Sequence, residues 1–340
     1  MFDSSCVRYG IVGSGRVSSR HADAIVAEPS SSLVGFYDVN HDCSKKRADE
    51  YHVQSFSSLN ELISCCDVVN VCVPPFAHSD VIVASLQQGK FVLCEKPISF
   101  NIDQVKAVRS VAEYEKRVFV SFQNRFNDAI VFLSQNVLRG DFGRPLYVFG
   151  SLRWFRDKSY YTSCEWKGDR ASAGGMLLNQ GSHLLDLLLR DFINPSEYQI
   201  LSAFSRNIAH CEVDSEDLFL FQCESSSVVV NAEIAVSCVG ANVGSELFVI
   251  CEHGWVKIGG AAFDHVIAAV HDRRGRIVGS ADDYSFARSD VYGRGHDGLI
   301  GAMTQMVLSG VAHSDIVSFD EACLRTDFAR KLYTASGVTL

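Results

Sequence analysis

The tetrapeptide CEKP at 94–97 places a charged pair where a buried strand should end. The residues before it are apolar, and ligands of open α/β sheets bind at the carboxyl ends of the strands. Pro97 restricts the local backbone and biases Lys96 toward an extended conformation, which can direct the ammonium group across the strand ends. Such a group can stabilise the oxyanion that develops on a reacting hydroxyl. Taken alone, the stretch fits a solvated turn at least as well.

A second group of polar side chains lies on the helix predicted after Gly174 and Gly175. Asn179, His183 and Asp186 recur at i, i+4 and i+7, which places them on one helix face. A polar stripe among leucines is costly to bury unless it is hydrogen-bonded or functional. We therefore take His183 as a candidate general base for a hydroxyl, because imidazole titrates near neutral pH, with Asp186 as a candidate to orient it.

The elements that must position these residues follow a simple alternation in the first third of the chain. Apolar runs of strand length alternate with amphipathic segments of helix length, which predicts an α/β fold with a parallel, doubly wound sheet. The predicted strands are 7–12, 33–37, 68–73, 91–94 and 118–120, and the predicted helices are 17–27, 42–51, 77–88 and 102–116.

A glycine-rich turn follows the first predicted strand. Gly13 and Gly15 match the first two glycines of a GxGxxG pattern, and the small Ser18 takes the third place. The glycines allow a tight turn and close approach of the backbone to a pyrophosphate, so this turn, with Arg16 and Val17, is a predicted cofactor contact.

Asp38 lies at the end of the second predicted strand. An acidic residue there can accept hydrogen bonds from the adenine ribose and repels a 2′-phosphate, which favours NAD over NADP. The alternative role for Asp38 is a cap of the next helix. Arg16 is a possible phosphate partner, which leaves NADP less favoured but open.

Two prolines, Pro74 and Pro75, end the fourth predicted strand, and His78 starts the helix after them. We predict that Pro74, His78, Glu95 and Lys96 line the cofactor at this edge of the sheet. His78 suits a structural role better than a catalytic one.

The remainder of the chain is predicted to form a second domain with a mostly antiparallel sheet. The domains are predicted at 1–124 and 125–340, with the two C-terminal amphipathic helices in the second. The predicted helix at 127–138 precedes strands at 145–155, 198–205, 217–223, 227–235, 245–251 and 264–270.

Composition and charge limit the classes of molecule that the protein is expected to bind. The net charge of −9 argues against non-specific binding to nucleic acid or anionic membranes, and no apolar run is long enough to cross a bilayer. The first five residues lack the pattern of a secretory leader, so we expect a cytoplasmic protein that acts on small molecules. The 12 cysteines include no CxxC pair, and we predict no structural metal.

Three motifs together resemble the glucose-fructose oxidoreductase / inositol dehydrogenase (Gfo/Idh/MocA) family over nearly the whole chain. They are GSGRVSSRH at 13–21, VCVPPFAHSDVIVASLQQGKFVLCEKP at 71–97, and GGMLLNQGSHLLDLL at 174–188. The resemblance implies an N-terminal Rossmann domain and a C-terminal α+β domain whose large open sheet forms a homodimer or homotetramer interface. It also implies that Lys96 contributes to substrate binding and catalysis.

The chain departs from inositol dehydrogenases at Asn179, where they commonly carry aspartate. Its NQGSH segment is similar to the NQGIH of a subgroup that acts on nucleotide sugars, exemplified by UDP-N-acetylglucosaminuronate 3-dehydrogenases. QNRFN at 123–127 and the YY and WKG segments at 160–168 resemble the same subgroup. This implies that Arg125 and Tyr161 contact substrate together with Lys96, Asn179 and His183. Each arginine of this region, including Arg153 and Arg156, alternatively forms a salt bridge.

These observations predict an NAD-dependent oxidoreductase that transfers a hydride between a sugar-ring carbon and nicotinamide. Lys96 would stabilise the oxyanion, and His183 would remove the hydroxyl proton. The alternatives are an inositol or free-sugar dehydrogenase, a keto-sugar reductase and, in another class, a regulator that binds dinucleotide without catalysis. Lys96 and His183 together argue against the regulator, since binding alone needs neither.

Overall fold

The computed structural model describes residues 6–98, 101–137, 139–164, 166–209, 213–236, 240–278 and 293–338. The first five residues, which the leader prediction concerned, lie outside this part. The chain divides into two compact units. Unit 1 comprises Met1–Gln123 and His296–Cys323, and unit 2 comprises Asn124–Gly295 and Leu324–Leu340.

Unit 1 contains a seven-stranded sheet with the order β15-β6-β5-β4-β1-β2-β3 among the described residues. All neighbouring pairs are parallel except β15 with β6. The chain order reverses between β1 and β4, which is the topological switch point of a doubly wound fold. Its strands are β1 (Val7–Val12), β2 (Ser31–Tyr37), β3 (Gln54–Ser55), β4 (Val68–Val71), β5 (Phe91–Glu95), β6 (Val118–Ser121) and β15 (Val317–Ser318).

The central strands are buried because helices cover the sheet. All four residues of β4 are buried, which explains why its three valines do not alternate with exposed polar residues. The helix predicted at 102–116 is broken, because Glu113 adopts a left-handed conformation with φ of 63°. The helices are α1 (Ser18–Ala27), α2 (His41–Tyr51), α3 (Leu59–Cys65), α4 (His78–Gln87), α5 (Ile102–Arg109), α6 (Tyr114–Arg117) and α12 (Gly295–Ser309).

The C-terminal region corrects the predicted division of the chain. Residues 296–323 belong to unit 1, although 125–340 was predicted as one domain. Thr304 of α12 lies 2.8 Å, hydroxyl to hydroxyl, from Tyr9 of β1, and β15 pairs with β6. The side chains of Val317 and Phe319 join the apolar core of unit 1. Burial of these apolar groups stabilises the packing of this segment in unit 1.

Unit 2 contains an eight-stranded sheet with the order β14-β13-β12-β11-β7-β10-β9-β8 among the described residues. Its pairs are antiparallel except β10 with β7. Alternating burial along β11 and β9 is typical of strands with one face on a core. The strands are β7 (Pro145–Trp154), β8 (Gln199–Arg206), β9 (Leu218–Ser225), β10 (Val228–Val236), β11 (Gly244–Cys251), β12 (Gly254–Gly259), β13 (His265–His271) and β14 (Gly275–Val278).

The helix predicted after the glycine pair is two helices separated by Gln180 and Gly181. A Cβ at Gly181 would lie 2.7 Å from the Leu177 carbonyl oxygen, so a glycine is required at this break. The helices assigned to unit 2 are α7 (Asp128–Asn136), α8 (Lys158–Thr162), α9 (Arg170–Ala173), α10 (Gly175–Asn179) and α11 (Ser182–Asp191). Helix α13 (Phe319–Ala335) begins in unit 1 and ends in unit 2.

Two further predictions concern the chain as a whole. None of the helices among the described residues has the length and apolar character required to cross a membrane. Cys72, Cys223 and Cys251, which lie in apolar stretches of the sequence, are buried free thiols.

Candidate active site

The glycine-rich turn joins β1 to α1 at the switch point of the unit 1 sheet. Gly13 has φ of 97°, and a Cβ there would lie 2.7 Å from the Cys72 carbonyl group, so only glycine fits. Gly15 is exposed and a Cβ on it would meet nothing within 4 Å, which leaves room beside the turn. The Ser18 hydroxyl is buried and donates to the Gly15 carbonyl at 2.7 Å. Ser18 therefore serves where the pattern has its third glycine.

Asp38 connects this turn to the end of β2. Its Oδ2 accepts a hydrogen bond from the Ser14 amide at 2.7 Å, and its Oδ1 accepts from the Asn40 amide at 2.8 Å. The cap of α2 is Asn40, whose side chain accepts from the Asp42 amide. The alternative role of Asp38 as the helix cap is therefore wrong. Its carboxylate lies beside the turn, as a residue that recognises a ribose must.

We expect Asp38→Asn to reduce the preference for NAD over NADP by about tenfold or more. The substitution removes the negative charge that repels a 2′-phosphate, and the remaining amide oxygen can still accept from the Ser14 amide at the expense of the Asn40 contact. Dissociation constants for both dinucleotides, measured by quenching of protein fluorescence, give this ratio. Asp49→Asn on α2 is the control, because Asp49 forms an exposed ion pair with Lys45. An unchanged ratio in Asp38→Asn would remove Asp38 from cofactor selection.

Glu95 ends β5 and is buried, with 8% of its surface exposed. Its Oε1 lies 2.8 Å from Nε2 of the fully buried His21, and the Asn70 side-chain amide donates to His21 Nδ1 at 2.9 Å. Burial by itself would raise the Glu95 pKa, but the His21 hydrogen bond and the charges of His21, Lys96 and His296 lower it to about 2. Glu95 is therefore an internal carboxylate anion directly before Lys96.

Lys96 is half-buried, and the peptide bond between Lys96 and Pro97 is cis. Pro74 begins the turn after β4. His78 is buried, with Nε2 2.9 Å from the Val73 carbonyl and Nδ1 3.3 Å from the Ile98 carbonyl. Burial lowers the His78 pKa, although these carbonyls act in the opposite direction. The structure thus gives His78 a role in joining two loops, and its position beside the cofactor stays a prediction.

The polar residues of unit 2 do not lie on one continuous helix. Asn179 ends α10 and is half-buried, whereas His183 lies in the first turn of α11 with 6% of its surface exposed. Gln180 and Gly181 between them keep right-handed helical backbone angles, and the Ser182 hydroxyl donates to the Asn179 carbonyl at 3.2 Å. Asn179 and His183 remain neighbours across this break.

Asp186 has different partners from the one predicted. Its carboxylate accepts hydrogen bonds from Arg125 Nε at 2.8 Å, Arg125 Nη2 at 2.7 Å and Arg325 Nε at 2.6 Å. Burial opposes ionisation, but the two guanidinium groups lower the Asp186 pKa to about 2. Arg125 is 2% exposed and holds α11 in place through Asp186, whose observed partners are the two arginines. A contact between Arg125 and substrate stays a prediction.

A buried network that sequence reasoning missed fixes the start of α10. Glu216 accepts hydrogen bonds from the Leu177 amide at 3.0 Å, from Arg170 Nη1 at 2.8 Å and from the Tyr333 hydroxyl. Burial, followed by the charge of Glu216, raises the Tyr333 pKa well above its usual value. Gly175 has φ of 75°, and a Cβ there would lie 2.4 Å from the Tyr333 hydroxyl. Gly175, the first residue of α10, is the sequence signal of this network.

We expect Gly175→Ala to destabilise the protein by roughly 2–4 kcal/mol, because backbone strain at positive φ adds to a clash with Tyr333. Urea unfolding measures this cost. Gly140→Ala is the matched control, since Gly140 has φ of 94° but a Cβ there would meet nothing within 4 Å. The difference between the unfolding free energies of the two variants measures the cost of the clash with Tyr333. Equal losses of stability would show that Tyr333 and Glu216 move aside without cost.

Tyr160 on α8 is at the centre of a cluster of cationic side chains. The Arg156 guanidinium lies 5.2 Å from its ring centroid and the Lys167 ammonium 4.8 Å, while Gln180 Nε2 donates to its hydroxyl at 3.3 Å. Tyr161 is 6% exposed and packs edge-on against Tyr160. The predicted substrate contact, Tyr161, is therefore mostly buried. The neighbouring Tyr160 is the ring against which the two positively charged side chains lie. Elsewhere in unit 2, Arg153 pairs with Glu233 at 2.6 Å.

Models of one known protein family match two long segments of the chain. Residues 7–122 match the GFO/IDH/MocA model described as an oxidoreductase family with an NAD-binding Rossmann fold, and residues 131–257 match the GFO/IDH/MocA C-terminal domain. The chain belongs to the GFO/IDH/MocA family. Unit 1 is thus an NAD-binding domain, and its residues fit that cofactor. The backbone is open at Gly15, and Asp38 lies beside the turn at the end of β2, where such folds carry the acidic residue for the adenine ribose.

Individual relatives in this family act on several polyols and sugars. Glucose-6-phosphate 3-dehydrogenase of Bacillus subtilis is 27% identical over 56% of this chain and 56% of its own length. The inositol 2-dehydrogenase/D-chiro-inositol 3-dehydrogenase of Shouchella clausii is 29% identical over 68% of this chain and 66% of its own length. The match thus spans less than two thirds of each relative.

A solved structure matches over almost the full length. The WlbA dehydrogenase from Bordetella pertussis, in complex with NADH and UDP-GlcNAcA, superposes with a TM-score of 0.81. The match covers 99% of this chain and 97% of that one at 22% sequence identity. This likeness establishes the fold: a Rossmann domain and a second domain with a mostly antiparallel sheet, as predicted.

Proposed function

We propose that the protein is an NAD-dependent dehydrogenase that acts on a ring hydroxyl of a nucleotide sugar, such as the 3-hydroxyl of a UDP-sugar acid. The observation that carries the redox assignment is the half-buried Lys96 at the end of β5, directly after the buried Glu95 anion, in an NAD-binding domain. A buried carboxylate next to a lysine favours the charged ammonium form, which is the form that can polarise a hydroxyl oxygen.

The proposed chemistry combines the cofactor with three side chains. NAD, when bound, supplies the hydride acceptor. In unit 1, the Lys96 ammonium stabilises negative charge on the substrate oxygen as the hydroxyl proton leaves. In unit 2, His183 accepts that proton as general base, and the Asn179 amide holds a neighbouring hydroxyl of the substrate. In the reductive direction His183 returns the proton and Lys96 stabilises the same oxygen.

Support for a nucleotide sugar comes from the cluster at Tyr160. Arg156 and Lys167 place two positive charges at one aromatic ring, which suits a ligand with a diphosphate and a planar base. Gln180, hydrogen-bonded to the Tyr160 hydroxyl, directly follows Asn179 in the chain. A relative of the same fold is solved with UDP-GlcNAcA, and another is a glucose-6-phosphate 3-dehydrogenase.

We further propose that the outward face of the unit 2 sheet pairs with a second copy of the chain. Phe204 of β8 and Leu220 of β9 are directly opposite each other in the strand register, and 43% and 38% of their surfaces are exposed. An exposed cross-strand apolar pair is typical of a surface that another protein covers. Sedimentation analysis of wild type and Leu220→Glu tests this, and a monomeric wild type would contradict it.

The test of the activity is the absorbance of reduced nicotinamide after addition of NAD and one substrate at a time. The panel contains UDP-sugar acids, other nucleotide sugars, glucose 6-phosphate, free sugar acids and inositols, and each is also tried in reverse as the keto form with NADH. Turnover of a UDP-sugar acid supports the proposal. Turnover of inositols alone supports the inositol dehydrogenase, and dinucleotide binding without any turnover supports a regulator.

A further inference from the structure

Three side chains of types that can bind a metal ion are far apart in the sequence and meet inside unit 1. His21 lies on α1, Glu95 ends β5, and His296 lies at the start of α12. The donor atoms that the three residues offer lie within 4.8 Å of one another. All three are buried, with exposed fractions of 0%, 8% and 4%. The proposed function assigns no role to either histidine.

We propose that His21, Glu95 and His296 form a binding site for one divalent transition-metal ion of the Zn²⁺ or Co²⁺ type. Two imidazoles and one carboxylate are a donor set that such ions accept, with an open fourth position for water.

The geometry requires small movements of the side chains. Donor atoms around a tetrahedral zinc ion are about 3.3 Å apart, because each lies about 2.0–2.1 Å from the metal. The His21 Nε2 and Glu95 Oε1 atoms are 2.8 Å apart and must separate slightly, whereas the farthest donors must approach. The His21 and His296 rings have centroids 4.9 Å apart at 81°, so a modest rotation about the side-chain bonds of His296 can close this gap.

Asn70 provides the support that metal-binding histidines need. Its amide donates to His21 Nδ1, so the His21 proton lies on Nε2 and donates to Glu95. When a metal ion binds Nε2, that proton must move to Nδ1, and Asn70 must turn its amide to present Oδ1. An asparagine can donate to Nδ1 in the first state and accept from Nδ1–H in the second, since its side chain carries a donor and an acceptor of nearly equal shape.

The test uses the full chain, stripped with a chelator and titrated with Co²⁺. We expect one Co²⁺ per chain, with the intense visible absorption of a low-coordinate cobalt site and a rise in Tm of several degrees, because the ion binds only the folded state. Equimolar Zn²⁺ should displace the colour. Failure of the wild-type chain to bind one ion, or a weak spectrum typical of cobalt surrounded by water, would overturn the proposal.

Variants show whether the ion is at these residues. Glu95→Gln and His296→Gln should each weaken Co²⁺ binding by at least about 100-fold, because loss of even an outer partner of a ligand costs 10–100-fold. His271→Gln is the matched control, as His271 is a buried histidine of unit 2 outside the cluster. Circular dichroism verifies that each variant folds. Equal binding by all three variants would mean that the ion occupies another place, and would overturn the assignment.

Discussion

Lys96→Met is expected to reduce kcat by roughly 10³-fold on whichever substrate proves active. The substitution keeps the length of the side chain and removes the ammonium group that stabilises charge on the substrate oxygen, an effect of about 10²–10⁴-fold in comparable sites. NAD binding should persist, because the glycine turn and Asp38 are unchanged. Steady-state kinetics, together with a separate measurement of NAD affinity, distinguish a chemical role from a binding role.

Lys106→Met is the control for this experiment. Lys106 forms an exposed ion pair with Asp103 on α5, so its loss should leave kcat and NAD affinity unchanged. Lys96→Arg restores the charge with a larger, planar group, and we expect only partial recovery of kcat. A Lys96→Met enzyme with full turnover and only a raised KM would rule out stabilisation of the oxyanion by this residue.

Asp186→Asn is expected to lower the free energy of unfolding by about 3–5 kcal/mol. The carboxylate is 1% exposed and binds two guanidinium groups, so its neutralisation leaves buried positive charges without compensation. Urea unfolding followed by circular dichroism measures the loss. Asp103→Asn removes an exposed ion pair and should be unchanged within the error of the measurement. A loss in Asp186→Asn no larger than in this control would contradict the structural role of the pair.

The same carboxylate predicts a dependence of stability on pH. The Asp186 pKa is about 2 in the folded protein, below its ordinary value of 3.8. Its contribution is therefore fully present above about pH 4 and is lost as pH falls toward 2, and it amounts to roughly 2–3 kcal/mol. Asp186→Asn should flatten this part of the stability curve, and Glu95, whose pKa is also about 2, should account for part of the remaining slope.

Local patterns in the sequence predicted much of the fold. Strand β1 was predicted at its observed bounds, because a strand buried on both faces of a parallel sheet is an apolar run of that length. Strands such as β12 were missed, since Gly254–Gly259 is short and begins and ends in glycine. The prediction that α12 belongs to the second domain was wrong. Its position depends on the contact between Tyr9 and Thr304, which are 295 positions apart in the sequence.

The sequence predicted where site residues lie in the fold when their placement depends on a short local motif, and their contacts with cofactor or substrate stay predictions. The turn at Gly13 and the position of Asp38 follow from a short motif whose backbone geometry is fixed by sterics. Arg125 was placed at the substrate because an arginine at a domain junction looks the same whether its partner is a phosphate or an internal carboxylate. Its partner, Asp186, is 61 positions away, and no spacing rule links the two.

The division of the chain between the two units has a consequence for biosynthesis. Unit 1 takes its last strand and two of its packing elements from residues 296–323, which the ribosome makes after all the strands of unit 2. During translation the strands of residues 7–121 are made first. The edge of β6 then lacks its partner strand β15 until unit 2 has been made. Unit 1 therefore reaches its native core only near the end of synthesis, and a fragment cut after residue 123 would expose an edge that β15 normally covers.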